Sequence, residues 1–269
     1  MTPELAKLKR EHHKAVKAYY NGLTFADCKK TPLVTDNQKL RKTGEHVCGI
    51  ALYPAFMGLT CCFFASCLQT CIGFTGLVEV CASKHAKITH VEKSMLRRTW
   101  LFINQPDYFY KRINRELSVL LLDSDAVHFR EISSECLDYT QITPDVISYG
   151  YFKNPSRMES LTGKGIYSWS ERSTQEDKLL AIQTETPVSV VVGVEKFADT
   201  MQGRSIIRYD DNTIYIDGNE SDLASYNAQQ EYDLTGYLVI HLLRYKTPRG
   251  GKAKHGQTAF LDSWQSIID

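Results

Sequence analysis

Short apolar runs recur along most of this chain, and their spacing restricts the folds open to it. The first is Val47-Cys48-Gly49-Ile50-Ala51-Leu52-Tyr53, which ends at Pro54. Six more follow: Ala126 to Arg130, Val146 to Tyr151, Gly165 to Ser170, Pro187 to Gly193, Thr213 to Gly218, and Tyr237 to Leu243. Each has strand length and is bounded by polar or turn residues. Many of the gaps are roughly 20 residues, enough for a turn and a short helix such as Glu176 to Gln183. That alternation predicts parallel βα units, hence an α/β protein built as a partial, TIM-like parallel barrel.

The first 30 residues read differently. Leu5, Leu8, Val16 and Tyr19 or Tyr20 have partial helical spacing from Pro3 to Tyr20, and Asn21-Gly22 is a stop signal. Residues 1–30 are therefore expected to form an N-terminal helical extension, with 31–269 as one barrel-like domain. His12-His13 lies inside this helix. Adjacent helical residues diverge in direction, so the pair is expected to be solvated and not to bind metal. Two further helices are expected, over Val78 to Phe102 and about Tyr108 to Leu122. In the second, Phe109, Ile113, Leu117 and Leu120 keep helical spacing.

The charge balance removes one broad class of function. Lys and Arg number 32 and Asp and Glu 31, a net charge of +1. Such a chain has no global electrostatic attraction for nucleic acid, although local basic patches remain possible partners. Met1 to Leu5 lacks the features of a signal peptide, so a cytoplasmic location is expected. Val47 to Val78 contains no Asp, Glu, Lys or Arg, and an uncharged run of that length meets the requirement for a bilayer span. Pro54, four glycines and Thr60, Ser66, Gln69, Thr70 and Thr75 make it a poor one. A membrane partner is not expected.

Inside that run lies a thiol cluster. Cys61, Cys62, Cys67 and Cys71 are four of the chain's eight cysteines. In a reducing compartment such crowding points to metal or cluster binding before disulfides. Three thiolates from one loop, Cys67, Cys71 and either Cys61 or Cys62, suffice for three irons of a [4Fe–4S] cluster, leaving the fourth iron open. Zinc is the alternative, with Cys48 or Cys81 completing four ligands.

In a parallel barrel the functional groups gather on the loops after the strand carboxyl ends. Here those positions carry Arg130, Glu131 and Glu135, then Tyr151, Lys153, Asn154 and Arg157, then Ser168 and Ser170, then Asp217 and Asp222. Together they predict one polar mouth.

Several stretches resemble a family encoded largely by bacteriophages and mobile elements. They are Asn37 to Gly44, Thr60 to Cys71, Met95 to Phe102, Tyr149-Gly150-Tyr151-Phe152-Lys153-Asn154-Pro155-Ser156-Arg157-Met158, Ile166 to Ser170, and Ile216-Asp217-Gly218-Asn219-Glu220-Ser221-Asp222-Leu223. That family is similar in fold to radical S-adenosylmethionine enzymes. The resemblance implies an iron–sulfur enzyme with Cys61, Cys67 and Cys71 on the cluster and S-adenosylmethionine as a possible cofactor. Glu131, Glu135, Ser170, Asp217 and Asp222 would then position cofactor. Arg130, Lys153, Asn154 and Arg157 would receive a phosphorylated substrate, a nucleotide or nucleic acid, in a host cytoplasm. The alternative it leaves is a non-enzymatic, metal-stabilised protein. Its Arg97-Arg98 and the basic segment from Arg244 to Lys254 would dock on a host protein or nucleic acid.

Overall fold

The computed structural model describes residues 3–36, 46–54, 60, 87–124, 127–132, 134–160, 165–170, 172–219, 224–244 and 267. The α/β class, the predominance of parallel strands and the N-terminal helical region are as the spacing predicted. The chain divides into two compact units, with the boundary in the described residues between Ile147 and Ser148.

The first unit opens with helix α1 (Pro3–Asn21) and the single turn α2 (Phe25–Cys28). Strand β1 (Thr35–Asp36) runs antiparallel to β2 (His46–Ala51), which pairs in parallel with β3 (Val127–Ile132). Between β2 and β3 lie helices α3 (His90–Asn104) and α4 (Pro106–Leu122). Helix α3 starts at His90, where Thr89 and Glu92 form a reciprocal capping box that satisfies two end N–H groups, and residues 78–86 of the expected helix lie outside the described residues. Pro106 at the first turn of α4 needs no hydrogen-bond partner there. Phe109, Ile113 and Leu117, one stripe of α4, are buried against Cys48, Ile50, Val127 and Phe129. Each such side chain stabilises the fold by about 1.5–3 kcal/mol relative to exposure.

The second unit is a six-stranded sheet. Its strands are β4 (Ile147–Phe152), β5 (Gly165–Ser168), β6 (Val188–Val192), β7 (Ile206–Arg208), β8 (Thr213–Asp217) and β9 (Leu238–Arg244). The order across the sheet is β4-β5-β6-β9-β8-β7, and β7, the edge strand, is antiparallel to its neighbour. Helix α5 (Arg157–Ser160) follows β4, α6 (Gln175–Gln183) precedes β6, α7 (Val194–Met201) follows β6, and α8 (Ala224–Glu231) joins β8 to β9. The parallel β4–β5–β6 run is that of a partial barrel, but β9 returns to lie between β6 and β8.

That return decides which faces are covered. The chain moves outward from β6 to β8 and back from β8 to β9, so right-handed crossovers place the connecting helices on opposite faces. Accordingly α6 and α7 bring Ala181, Phe197 and Met201 onto Val188, Val190, Val192, Ile240 and Leu242. Helix α8 brings Ala228 onto the other side, against Ile214, Ile216 and Val239. The carboxyl ends of β6 and β8 therefore send their chains to opposite faces, with the end of β9 between them. In open α/β sheets such a switch point is where ligands bind.

Candidate functional site

Strand alternation sorts the second unit's side chains into two contrasting sets. One face carries Phe152, Tyr167, Trp169, Val188, Val190, Val192, Ile240 and Leu242, all buried and in one apolar core. The registers place Ser168 beside Ser189 and Ser189 beside His241, so these three form one row across β5, β6 and β9 on the opposite face. Sheets buried on both faces are normally apolar on both. Here Ser189 and His241 are buried and the row is polar.

The geometry of the row is specific. Ser189 Oγ lies 3.3 Å from Ser168 Oγ and donates to the Tyr167 carbonyl at 3.4 Å. Tyr151, on β4, stacks with His241 at 6.2 Å between ring centroids and 14° between planes. In a flat sheet these strands would be about 14 Å apart, three spacings of about 4.8 Å. The two rings thus lean toward each other above the serine pair, as side chains do on the concave side of a curled sheet. Gly218, just beyond β8, makes room for His241: a Cβ there would overlap ring atoms Cδ2 and Nε2.

Residues from the predicted mouth form the rim of this face. Lys153, one step beyond Phe152, is in the same alternation as Tyr151 and is half-buried, as is Arg157. Asn154 accepts from Ser156 N at 3.1 Å and from its hydroxyl at 2.8 Å, shaping the turn between them. Ser170 is buried and its hydroxyl accepts from Arg172 N at 3.4 Å. Asp217 Oδ1 accepts from Asn219 N and Nδ2, both at 2.8 Å, while Asn219 Oδ1 accepts from Arg244 N at 3.0 Å. These bonds tie the end of β8 to the end of β9.

The other predicted site residues belong to the first unit. Arg130 alternates on β3 with buried Phe129. Glu131 is buried and its carboxylate accepts from Cys136 N at 2.8 Å and Leu137 N at 3.2 Å, which holds the loop after β3. Glu135 is buried, and its N–H donates to the Thr60 carbonyl at 3.1 Å. Asp222 lies outside the described residues, as do Cys61, Cys62, Cys67 and Cys71.

The metal expectation is corrected. Among the described residues no three His, Cys, Asp or Glu side chains converge as a metal ion requires. Cys48, one of the two candidate fourth zinc ligands, is buried in the first unit's apolar core, and the other, Cys81, lies outside the described residues. The described structure thus gives no basis for a [4Fe–4S] cluster, zinc or S-adenosylmethionine chemistry, and neither the iron–sulfur enzyme nor the metal-stabilised docking protein is retained. Arg98 is likewise no docking residue: it is buried, and its Nε donates to the Pro32 carbonyl at 2.7 Å. Among the described residues no helix is long and apolar enough to cross a membrane.

His12 corrects the expectation of a solvated pair, since His13 is exposed but His12 is buried. Its Nε2 lies 2.9 Å from Glu92 Oε1, and Tyr53 donates to the same oxygen at 3.4 Å. Burial pushes the Glu92 carboxyl up, but hydrogen bonds from His12 and Thr89 outweigh it and hold it below the usual carboxylate range. Burial, with Glu92 beside it, pushes the Tyr53 phenol up. This cluster docks α1 on α3. Its signal was the spacing His12, Val16, Tyr20, one stripe of which all three members are buried. Ser189 and His241 were missed as site residues because each sits inside an apolar run. A polar residue in the middle of such a run was the available signal.

Comparison of the chain with family models, with curated proteins and with solved structures finds no match in any of the three. The bacteriophage and radical-enzyme attributions drawn from resemblance are accordingly not carried forward.

Proposed function

We propose that the second unit binds a small phosphorylated molecule of the nucleotide class on its concave polar face. The half-buried Ser168 and Tyr151 contact the body of the ligand, and the buried Ser189 and His241 behind them hold both in place. Lys153 and Arg157 receive the phosphate, since guanidinium and ammonium donors match phosphate oxygens. Ser170, Asn154 and Asp217 line the rim. The single observation that carries this reading is the row Ser168, Ser189, His241 on strands whose other face is wholly apolar. Burying hydroxyl and imidazole groups costs free energy that an alanine or valine at the same place would not. Sequences retain such costs where function uses the groups.

The test is a thermal-shift and calorimetry screen of the intact protein with nucleoside monophosphates, the matching nucleosides and inorganic phosphate. At 100 times its Kd a ligand stabilises by about 2.7 kcal/mol, a shift of several degrees. Ser189→Ala is expected to keep or raise the unliganded Tm while weakening binding about tenfold. Lys153→Met is expected to weaken the monophosphate and leave the nucleoside unaffected. If no nucleotide shifts the melt, or if Ser189→Ala binds like the parent, the proposal fails.

A further inference from the structure

At the amino-terminal ends of β8 and β9 lies a cavity of about 470 Å³. We propose that it binds a small organic ammonium with an aromatic body. It is separate from the concave face: Thr213 and Leu238, which line it, are the first residues of β8 and β9, whereas the polar rim uses their last. Its floor is apolar, formed by Ile182, Leu238, Ile240 and Ile267 beside the buried Tyr215. Its volume falls in the usual range for small-molecule sites, about 300–1,000 Å³.

The entrance gives the charge preference. The exposed Tyr209 leans on the buried Tyr215, their rings 4.9 Å apart and inclined at 43°. The β7–β8 turn adds Asp210 and Asp211 to the lining. Arg208 lies 3.4 Å from Asp211 and offsets it, while Asp210 Oδ1 accepts Asn212 N at 2.7 Å. Lys178 is the one cation lining the cavity among the described residues. Asp210, with Asp211 offset by Arg208, and the exposed ring of Tyr209 favour an ammonium at the opening, and the apolar floor takes its ring.

Tyramine and tyrosol share one body and differ in ammonium against hydroxyl, so they isolate the charge. In calorimetry with the intact protein, tyramine is expected to bind about fivefold tighter than tyrosol, the scale of one exposed ion pair. Asp210→Asn removes that preference and Lys178→Gln widens it. All these positions are at the surface or the rim, and far-UV circular dichroism verifies that each variant is folded. Equal binding of the two probes overturns the proposal. So does an undiminished preference in Asp210→Asn, or the absence of tyramine binding at about 10 mM. The concave-face reading is decided by nucleotides and Ser189→Ala, so either proposal can fail without the other.

Discussion

Gly218→Ala tests the packing on which the concave face depends. Gly218 has no left-handed backbone requirement, so the substitution acts through space alone. The added Cβ would overlap His241 Cδ2 and Nε2 and come within 2.8 Å of Leu243 Cδ2. Ordinary carbon contacts are about 3.5–4.0 Å. Leu243 Cδ2 is a side-chain end that can rotate aside, but His241 is fully buried and stacked with Tyr151. Overpacking of this kind costs about 1–3 kcal/mol. Restricting the unfolded chain returns about 0.4–1 kcal/mol, which leaves a net loss of about 1.3 kcal/mol at mid-range and up to about 2.5 kcal/mol. Gly193→Ala is the control, because a Cβ there meets nothing within 4 Å. It caps α7, so its small capping loss and its entropic gain leave it within about 0.5 kcal/mol of the parent.

Urea unfolding followed by circular dichroism measures both, with unchanged m-values showing that the denatured state is not altered. A double-mutant cycle then assigns the cause. In a His241→Ala background the overlap is gone, and Gly218→Ala should cost at least about 1 kcal/mol less than in the parent. If Gly218→Ala is as mild as Gly193→Ala, or costs the same in both backgrounds, His241 does not occupy the space described and the concave site is wrongly built.

Glu92→Gln leaves His12 without its carboxylate in a buried setting and is expected to cost about 2–4 kcal/mol at pH 7, read from chemical denaturation. The Glu92 carboxyl is held below its unfolded value, so this stability is present above about pH 4.3 and is lost as pH falls through the lower folded value. The gap between parent and Glu92→Gln should therefore close in acid, and a gap that widens instead would contradict the assignment. Glu116 accepts Leu33 N at 2.9 Å and Val34 N at 2.8 Å through one oxygen, and Arg112 Nε at 2.8 Å through the other. Glu116→Ala should cost about 2 kcal/mol and Glu116→Gln about half of that, since an amide oxygen still accepts; a loss under about 0.5 kcal/mol in thermal melts would remove the staple from the account.

Much of the architecture was legible because it is local. The run Val188 to Val192 could be read as a strand, and Phe109, Ile113 and Leu117 as a helix stripe, from periodicities of two and 3.6 residues. Strand β7 escaped notice because Ile206–Arg208 is three residues long and draws its pairing from β8 across the Asp210-Asp211-Asn212 turn. Glu131 looked like a rim residue, but its carboxylate is turned to the backbone of its own loop. The thiols whose spacing suggested a cluster lie outside the described residues, whereas Cys28 and Cys48 are buried in the apolar core.

Taken alone, the sequence determined the α/β class, the positions of the parallel strands and the residues that end them, because short-range patterning dictates which backbone hydrogen bonds a segment can satisfy. Tertiary structure alone decided that β9 lies between β6 and β8, and therefore that Ser168, Ser189 and His241 form one row. Those residues are 21 and 52 positions apart. Which strand lies beside which depends on burying whole faces against helices, a non-local balance that no window of the sequence contains.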